Sequence, residues 1–166
     1  GRMVDEFSAF ARMPSPKFGT VDAVEMLRQG VFTQRVASPD IDVELLDGPE
    51  SYTLVCDTHM IGQAMTNLLK NAAEAIAARH AENPNAPKGR ITAQLIEQGS
   101  HVSLVVEDNG AGLPLRDRDR LTEPYVTTRE KGTGLGLAIV KRIMEDHGGD
   151  LVLADAARGR GARFSL

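Results

Sequence analysis

A chain of 166 residues, 42% hydrophobic and 25% charged, has the size and composition of one globular domain with a real core. A net charge of −4 and only 4% aromatic residues, with no Trp, argue against the basic face and stacking platforms of a nucleic-acid binder. The single Cys56 excludes an intrachain disulfide framework and any multi-cysteine metal site, and no run approaches the roughly 18 apolar residues of a membrane span.

"RMVDEFSAFARM" places Met3, Val4, Phe7, Phe10 and Ala11 on one helical stripe that stops at Pro14 and Pro16. It reads either as the tail of a neighbouring helical element or as a helix packed on this domain. Gly1 and the apolar ending "ARFSL" suggest a piece cut from a larger protein. A helix is expected from about Asp22 to Val36, burying Val24, Leu27, Val31 and Phe32. "IDVELL" and "YTLVC" read as short strands separated by "DGPES", with Cys56 a buried structural thiol.

Asp57 then caps a long helix to about Arg79. Ile61, Met65, Leu68, Ala72 and Ile76 share one face of it, and Gln63, Asn67, Asn71 and Glu74 another. Asparagine competes for backbone hydrogen bonds inside helices, so two of them one turn apart need a reason. One is that an amide oxygen is a hard, neutral ligand suited to Mg²⁺; the other is a solvated stripe or amide bonds to a neighbouring loop.

"RITAQLIEQ" and "HVSLVVED" form a predicted hairpin around Gly99–Ser100. Asp108 ends its second strand, where a carboxylate can accept a hydrogen bond from an exocyclic amine such as adenine N6. Gly110 and Gly112 follow and would let backbone approach a flat ring, although "DNG" alone is a common turn. The next stretch, to about Gly132, is a long irregular segment of the kind that serves as a lid.

Gly132, Gly134 and Gly136 then open a helix expected from about Gly134 to His147. Their G-x-G-x-G spacing fits neither a Walker loop nor a Rossmann fingerprint. A helix N-terminus still attracts phosphate through unpaired N–H groups, with Thr133 and Lys131 able to add a hydroxyl and a charge. The glycines also suit a lid hinge. His147 is expected to end the helix as a favourable cation. "LVLAD" and "ARFSL" form a last hairpin. Strand pairs alternating with helices predict an α/β two-layer sandwich, a mixed and mostly antiparallel sheet packed on helices.

Four stretches, in order, resemble the ATP-binding catalytic domain of sensor histidine kinases, within the gyrase, Hsp90, histidine kinase and MutL superfamily. "NLLKNAAEAI" is similar to the N box, "EDNGAGLP" to the first glycine box, "TEPYVTTR" to the F box and "KGTGLGLAIVKRI" to the second glycine box. The resemblance covers about residues 20–166, and the wording is most similar to membrane-bound nitrogen-regulation kinases of the NtrY type. It implies the histidine kinase/Hsp90-like ATPase fold over residues 17–166, with residues 1–16 as the end of a dimerisation helix and a linker. It implies ATP and Mg²⁺ as cofactors, Asn71 as the metal ligand and Asn67 as a neighbouring polar contact. Asp108 would hold the adenine amine beside Gly110 and Gly112. Thr127, Thr128 and Arg129 would lie in the lid, and Lys131, Gly132, Thr133, Gly134, Leu135, Gly136 and Leu137 along the triphosphate.

Three positions depart from the family pattern: Tyr125 where Phe is usual, Glu74 where Lys is common, and Ala162–Arg163 where a Thr pair is frequent. None of the four histidines fits the H-E-x-x-[NT]-P phosphoacceptor setting. The implied function is therefore binding of Mg·ATP and transfer of its γ-phosphate to a histidine on a dimerisation domain of the same parent, a homodimer, and onward to the receiver domain of a response regulator. The chain alone is expected to be monomeric and cytoplasmic, without membrane contact, below a parent anchored in the inner membrane. A nucleotide-gated switch of the anti-sigma or MutL kind is the alternative. Asn67, standing where the MutL and gyrase branches usually carry an acid, argues against efficient hydrolysis.

Overall fold

The computed structural model describes residues 13–112, 136–155 and 162–165, with backbone alone for 154–155 and 162–165. Among these residues ten elements appear: β1 (Gly19–Asp22), α1 (Ala23–Ala37), β2 (Asp42–Leu45), β3 (Thr53–Cys56), α2 (Thr58–Glu82), β4 (Arg90–Gln98), β5 (His101–Asp108), α3 (Gly136–Asp146), β6 (Val152–Asp155) and β7 (Ala162–Ser165). The main sheet has the order β2-β4-β5-β7-β6. Its β2–β4 pair is parallel and the other pairs are antiparallel, as the expected mixed sheet requires.

The two strands expected on either side of "DGPES" do not share a sheet. β2 pairs with β4, whereas β3 pairs with β1, a strand the sequence reading lacks, in a separate two-stranded sheet. The start of α1 explains the split. Asp22 accepts from the N–H of Val24 at 3.0 Å and from that of Tyr52 at 3.1 Å, and the Ala23 N–H donates to the Tyr52 carbonyl at 2.8 Å. The chain before β3 is thereby fastened to the N-cap of α1 and held away from β2.

The core lies between the main sheet and the helices, with Leu27, Leu68, Leu69, Ile91, Val106, Val140 and Ile143 fully buried. Ile91, Ala93 and Leu95 of β4 lie beside Asp108, Val106 and Leu104 of β5 and turn the same face inward. On α1, Val24, Leu27 and Val31 are buried as expected, but Phe32 is 63% exposed. At 100° per residue Phe32 stands about 140° round the helix from Leu27, so it cannot share that face.

Asp57 caps α2 by accepting from the Met60 N–H at 3.0 Å, and the helix runs to Glu82, one turn beyond the expected end. The hairpin turn at Gly99 has φ 62°, the left-handed conformation for which glycine is suited. His147 follows α3, but not as a cation: its Nε2 accepts the Asp57 N–H at 3.0 Å, which a protonated ring cannot do. Among the described residues, no helix is long and apolar enough to cross a membrane.

Candidate functional site

Two residues of the α2 polar stripe, Asn67 and Asn71, meet α3, whereas Gln63 lines a cleft beside α1. Asn67 and Asn71 are one turn apart and half-buried, since each adjoins the apolar face that packs Leu68 and Ala72. The Asn67 Nδ2 donates to the Gly136 carbonyl at 3.4 Å. A Cβ placed on Gly136 would stand 3.8 Å from the Asn71 Oδ1. Two side chains from the middle of one helix thus meet the first described turn of another. Leu137 is half-buried beside them and packs against the core.

One turn further along α2, the segment after β5 lies directly on helix backbone. Asp108 is 4% exposed, and its Oδ1 accepts the Gly110 N–H at 2.8 Å, closing a tight turn. A Cβ on Gly110 would meet the Ala75 carbonyl carbon at 2.4 Å and the Ile76 nitrogen at 2.6 Å. Helix backbone alone thus requires glycine there, a reason the sequence did not suggest. The Ala111 N–H adds a bond to the Ala75 carbonyl at 3.0 Å, and Gly112 sits at φ 82°.

Asn109, between these residues, clamps the sheet. Its Oδ1 accepts the Arg90 N–H at 2.8 Å, its Nδ2 donates to the Lys88 carbonyl at 3.0 Å, and its own carbonyl accepts from Arg79. These bonds fix the end of β5 against the start of β4 and the last turns of α2. The stretch of α2 from Asn67 to Arg79 therefore carries both the asparagine pair and the seat of the Asp108 turn. Neither the Asn109 clamp nor the Gly110 contact was legible, because each partner is remote in sequence.

A buried carboxylate held beside glycine backbone can accept from an amine on a planar ring. An amide oxygen set next to a helix start, as that of Asn71 is, can serve a hard cation and its anionic ligands. The predicted residues Asp108, Gly110, Gly112, Asn67, Asn71, Gly136 and Leu137 all lie along this one stretch of α2 or on the segments packed against it. Thr127, Thr128, Arg129, Lys131, Gly132, Thr133, Gly134 and Leu135 lie outside the described residues. A separate cleft of about 1420 Å³ opens between residues 13–19, α1 and the first half of α2. It is lined by Met13, Met26, Met60 and Met65 and contains none of the predicted site residues.

Elsewhere the electrostatics are structural. The Lys17 N–H, then that of Met60, holds the Asp57 carboxyl below the usual carboxylate range. Burial, then the charge of Asp57, pushes the Cys56 thiol up, so the residue is a packed core thiol and a poor nucleophile.

Residues 56–166 match the family profile described as "Histidine kinase-, DNA gyrase B-, and HSP90-like ATPase". Over its whole length the chain is 51% identical to the nitrogen regulation protein NtrY of Azorhizobium caulinodans, of which it spans 21%. Among solved structures, the mycobacterial sensor histidine kinase MprB superimposes with a TM-score of 0.72 at 30% identity, covering 90% of this chain and 95% of that one. Full-length ShkA in complex with AMPPNP superimposes with a TM-score of 0.81 at 26% identity, covering 99% of this chain and 34% of that one.

Proposed function

Since the chain belongs to the histidine kinase-, DNA gyrase B- and HSP90-like ATPase family, we propose that it is the ATP-binding catalytic domain of a nitrogen-regulation sensor kinase of the NtrY type. The observation that carries this reading is the convergence of Asn67 and Asn71 on Gly136, one turn of α2 from the seat of the Asp108 turn. The similarity to ShkA, whose structure holds an ATP analogue, supports the same assignment.

In this reading Asp108 accepts a hydrogen bond from the adenine amine, and its burial strengthens that bond by excluding competing water. The short turn closed by Gly110 holds the carboxylate in one orientation before nucleotide arrives. Asn71 would offer its amide oxygen to Mg²⁺, and Asn67 holds the start of α3 in place. Mg²⁺ supplies neutralisation of the phosphate charge. The N–H groups at the start of α3 would receive phosphate oxygens, with Gly132, Thr133, Gly134, Leu135 and Leu137 lining that side. Lys131 and the lid residues Thr127, Thr128 and Arg129 would contribute a charge and further polar contacts.

The γ-phosphoryl group would pass from ATP to an imidazole nitrogen of a histidine on the dimerisation domain, with ADP leaving. The chain covers 21% of its NtrY relative, so that domain belongs to the rest of the parent. Residues 1–16 would be the end of the dimerisation helix with its linker, and residues 17–166 the catalytic unit. The parent would be a homodimer anchored in the inner membrane, with this domain, monomeric in isolation, on its cytoplasmic side. The phosphoryl group would move on to the receiver domain of a response regulator.

Calorimetric titration with Mg·ATP tests the reading. The wild-type chain is expected to bind, Asp108→Asn to weaken binding at least about tenfold through loss of the amine's charged acceptor, and Asn71→Asp to alter the Mg²⁺ dependence. No binding by the wild type, or unchanged binding by both variants, overturns it.

A further inference from the structure

Asn67 ties one end of α3 to α2, and a second tie lies at the other end. There the Asp57 N–H donates to His147 Nε2 at 3.0 Å, and His147 Nδ1 lies 2.7 Å from the Ile143 carbonyl. A carbonyl only accepts, so Nδ1 carries the proton, and Nε2, receiving an N–H, carries none. The imidazole is therefore a neutral link from the cap of α2 to the last turn of α3. The same Asp57 receives the Lys17 N–H at 2.8 Å, and the Phe18 ring stands edge-on to the imidazole at 5.2 Å and 73°.

The two ties fit the helix geometry. Asp57 begins α2 beside the end of α3, and Asn67 stands beside Gly136 at its start, so the helices run in opposite directions. Ten residues from Asp57 to Asn67 rise about 15 Å, and eleven from Gly136 to His147 about 17 Å. Each tie thus sits at one end of the same helix pair. The Asn67 bond, at 3.4 Å, is the longer of the two.

We propose that His147 is a positioning residue for the nucleotide site. By fastening the end of α3 to the cap of α2 it fixes how far α3 extends along α2, and so keeps Gly136 opposite Asn67 and Asn71. The proposal rests on the nucleotide reading above, because the quantity that His147 sets is the geometry of that pocket.

Two substitutions separate this role from packing. His147→Gln keeps an oxygen that accepts and an N–H that donates; His147→Phe keeps a ring against Phe18 but neither bond. In the full chain, Mg·ATP affinity is expected to fall about tenfold in His147→Phe and to stay within about threefold in His147→Gln, the scale on which small misplacements act. The Asn67 and Asn71 side-chain amide resonances should move in the first variant and not in the second. Equal affinity in all three proteins overturns the proposal, and so does an equal loss in both variants. Should His147→Phe fail to fold, the ring nitrogen shifts of the wild type decide: a proton on Nδ1 is expected, and a proton on Nε2 overturns the tie. If the wild type binds no Mg·ATP, the nucleotide reading fails first, while unmoved asparagine resonances in His147→Phe would separately sink the positioning role.

Discussion

Asp57 makes four hydrogen bonds that join three pieces of the chain. Its carboxylate receives the Lys17 and Met60 N–H groups, its own N–H reaches His147, and its carbonyl accepts the Ile61 N–H. Asp22 plays a lesser version of the role, its carboxyl lowered by the Tyr52 N–H first and, against the opposing effect of burial, by that of Val24. Both carboxyls bind their proton more weakly folded than unfolded. Their contribution to stability is therefore complete above the unfolded value of about 3.9 and is lost as pH falls through the lower folded values. The stability lost in Asp57→Ala, read from paired thermal melts, should be level down to about pH 5 and shrink below it. At neutral pH that loss should be about 1 kcal/mol, through the missing cap. The cap itself was legible in "CDTHMI", because capping acts within three residues. Its other partners were not, since Lys17 and His147 lie 40 and 90 residues away along the chain.

At the scale of elements, periodicity gave the faces and withheld the neighbours. Alternation in "RITAQLIEQ" and "HVSLVVED" marks which side chains turn inward, and the turn between them makes their pairing local. Nothing in "DVEL" or "TLVC" says that one lies parallel to β4 and the other against β1. Phe32 shows the limit on a helix, where hydrophobicity suggested burial and angular position denied it. Leu27→Ala should cost about 2–5 kcal/mol in urea unfolding, whereas Phe32→Ser should change stability by less than about 0.5 kcal/mol. Gly110→Ala should cost at least about 1–3 kcal/mol, because its methyl would meet the Ala75 backbone, which cannot rotate away. The asparagine pair and Asp108 were legible as chemistry because polar groups in apolar settings stand out. The backbone contact that seats the Asp108 turn leaves no such mark.

Across the whole molecule, the family profile begins at residue 56, yet the structure does not. Gly30 brings α1 so near α2 that a Cβ there would stand 3.2 Å from Met65 and 3.3 Å from Leu69, and β2 forms one edge of the main sheet. A chain starting at residue 56 would bare Met65 and Leu69 and lose that edge. It should show no cooperative melt, and a sharp transition comparable to that of the full chain would contradict this. In the intact chain, Mg·ATP at a hundredfold excess over its Kd should add about 2.7 kcal/mol, read as a rise in Tm.

Cys56 gives this architecture a built-in clock. It is the chain's one thiol and is 2% exposed, at the end of β3 where it pairs with β1. Its alkylation rate counts how often that short two-stranded sheet parts. If the sheet opens only with the whole fold, saturating nucleotide should slow the reaction about a hundredfold at the same excess. If it opens alone, the rate should ignore nucleotide, and the strands that anchor the starts of α1 and α2 would form a cooperative unit of their own.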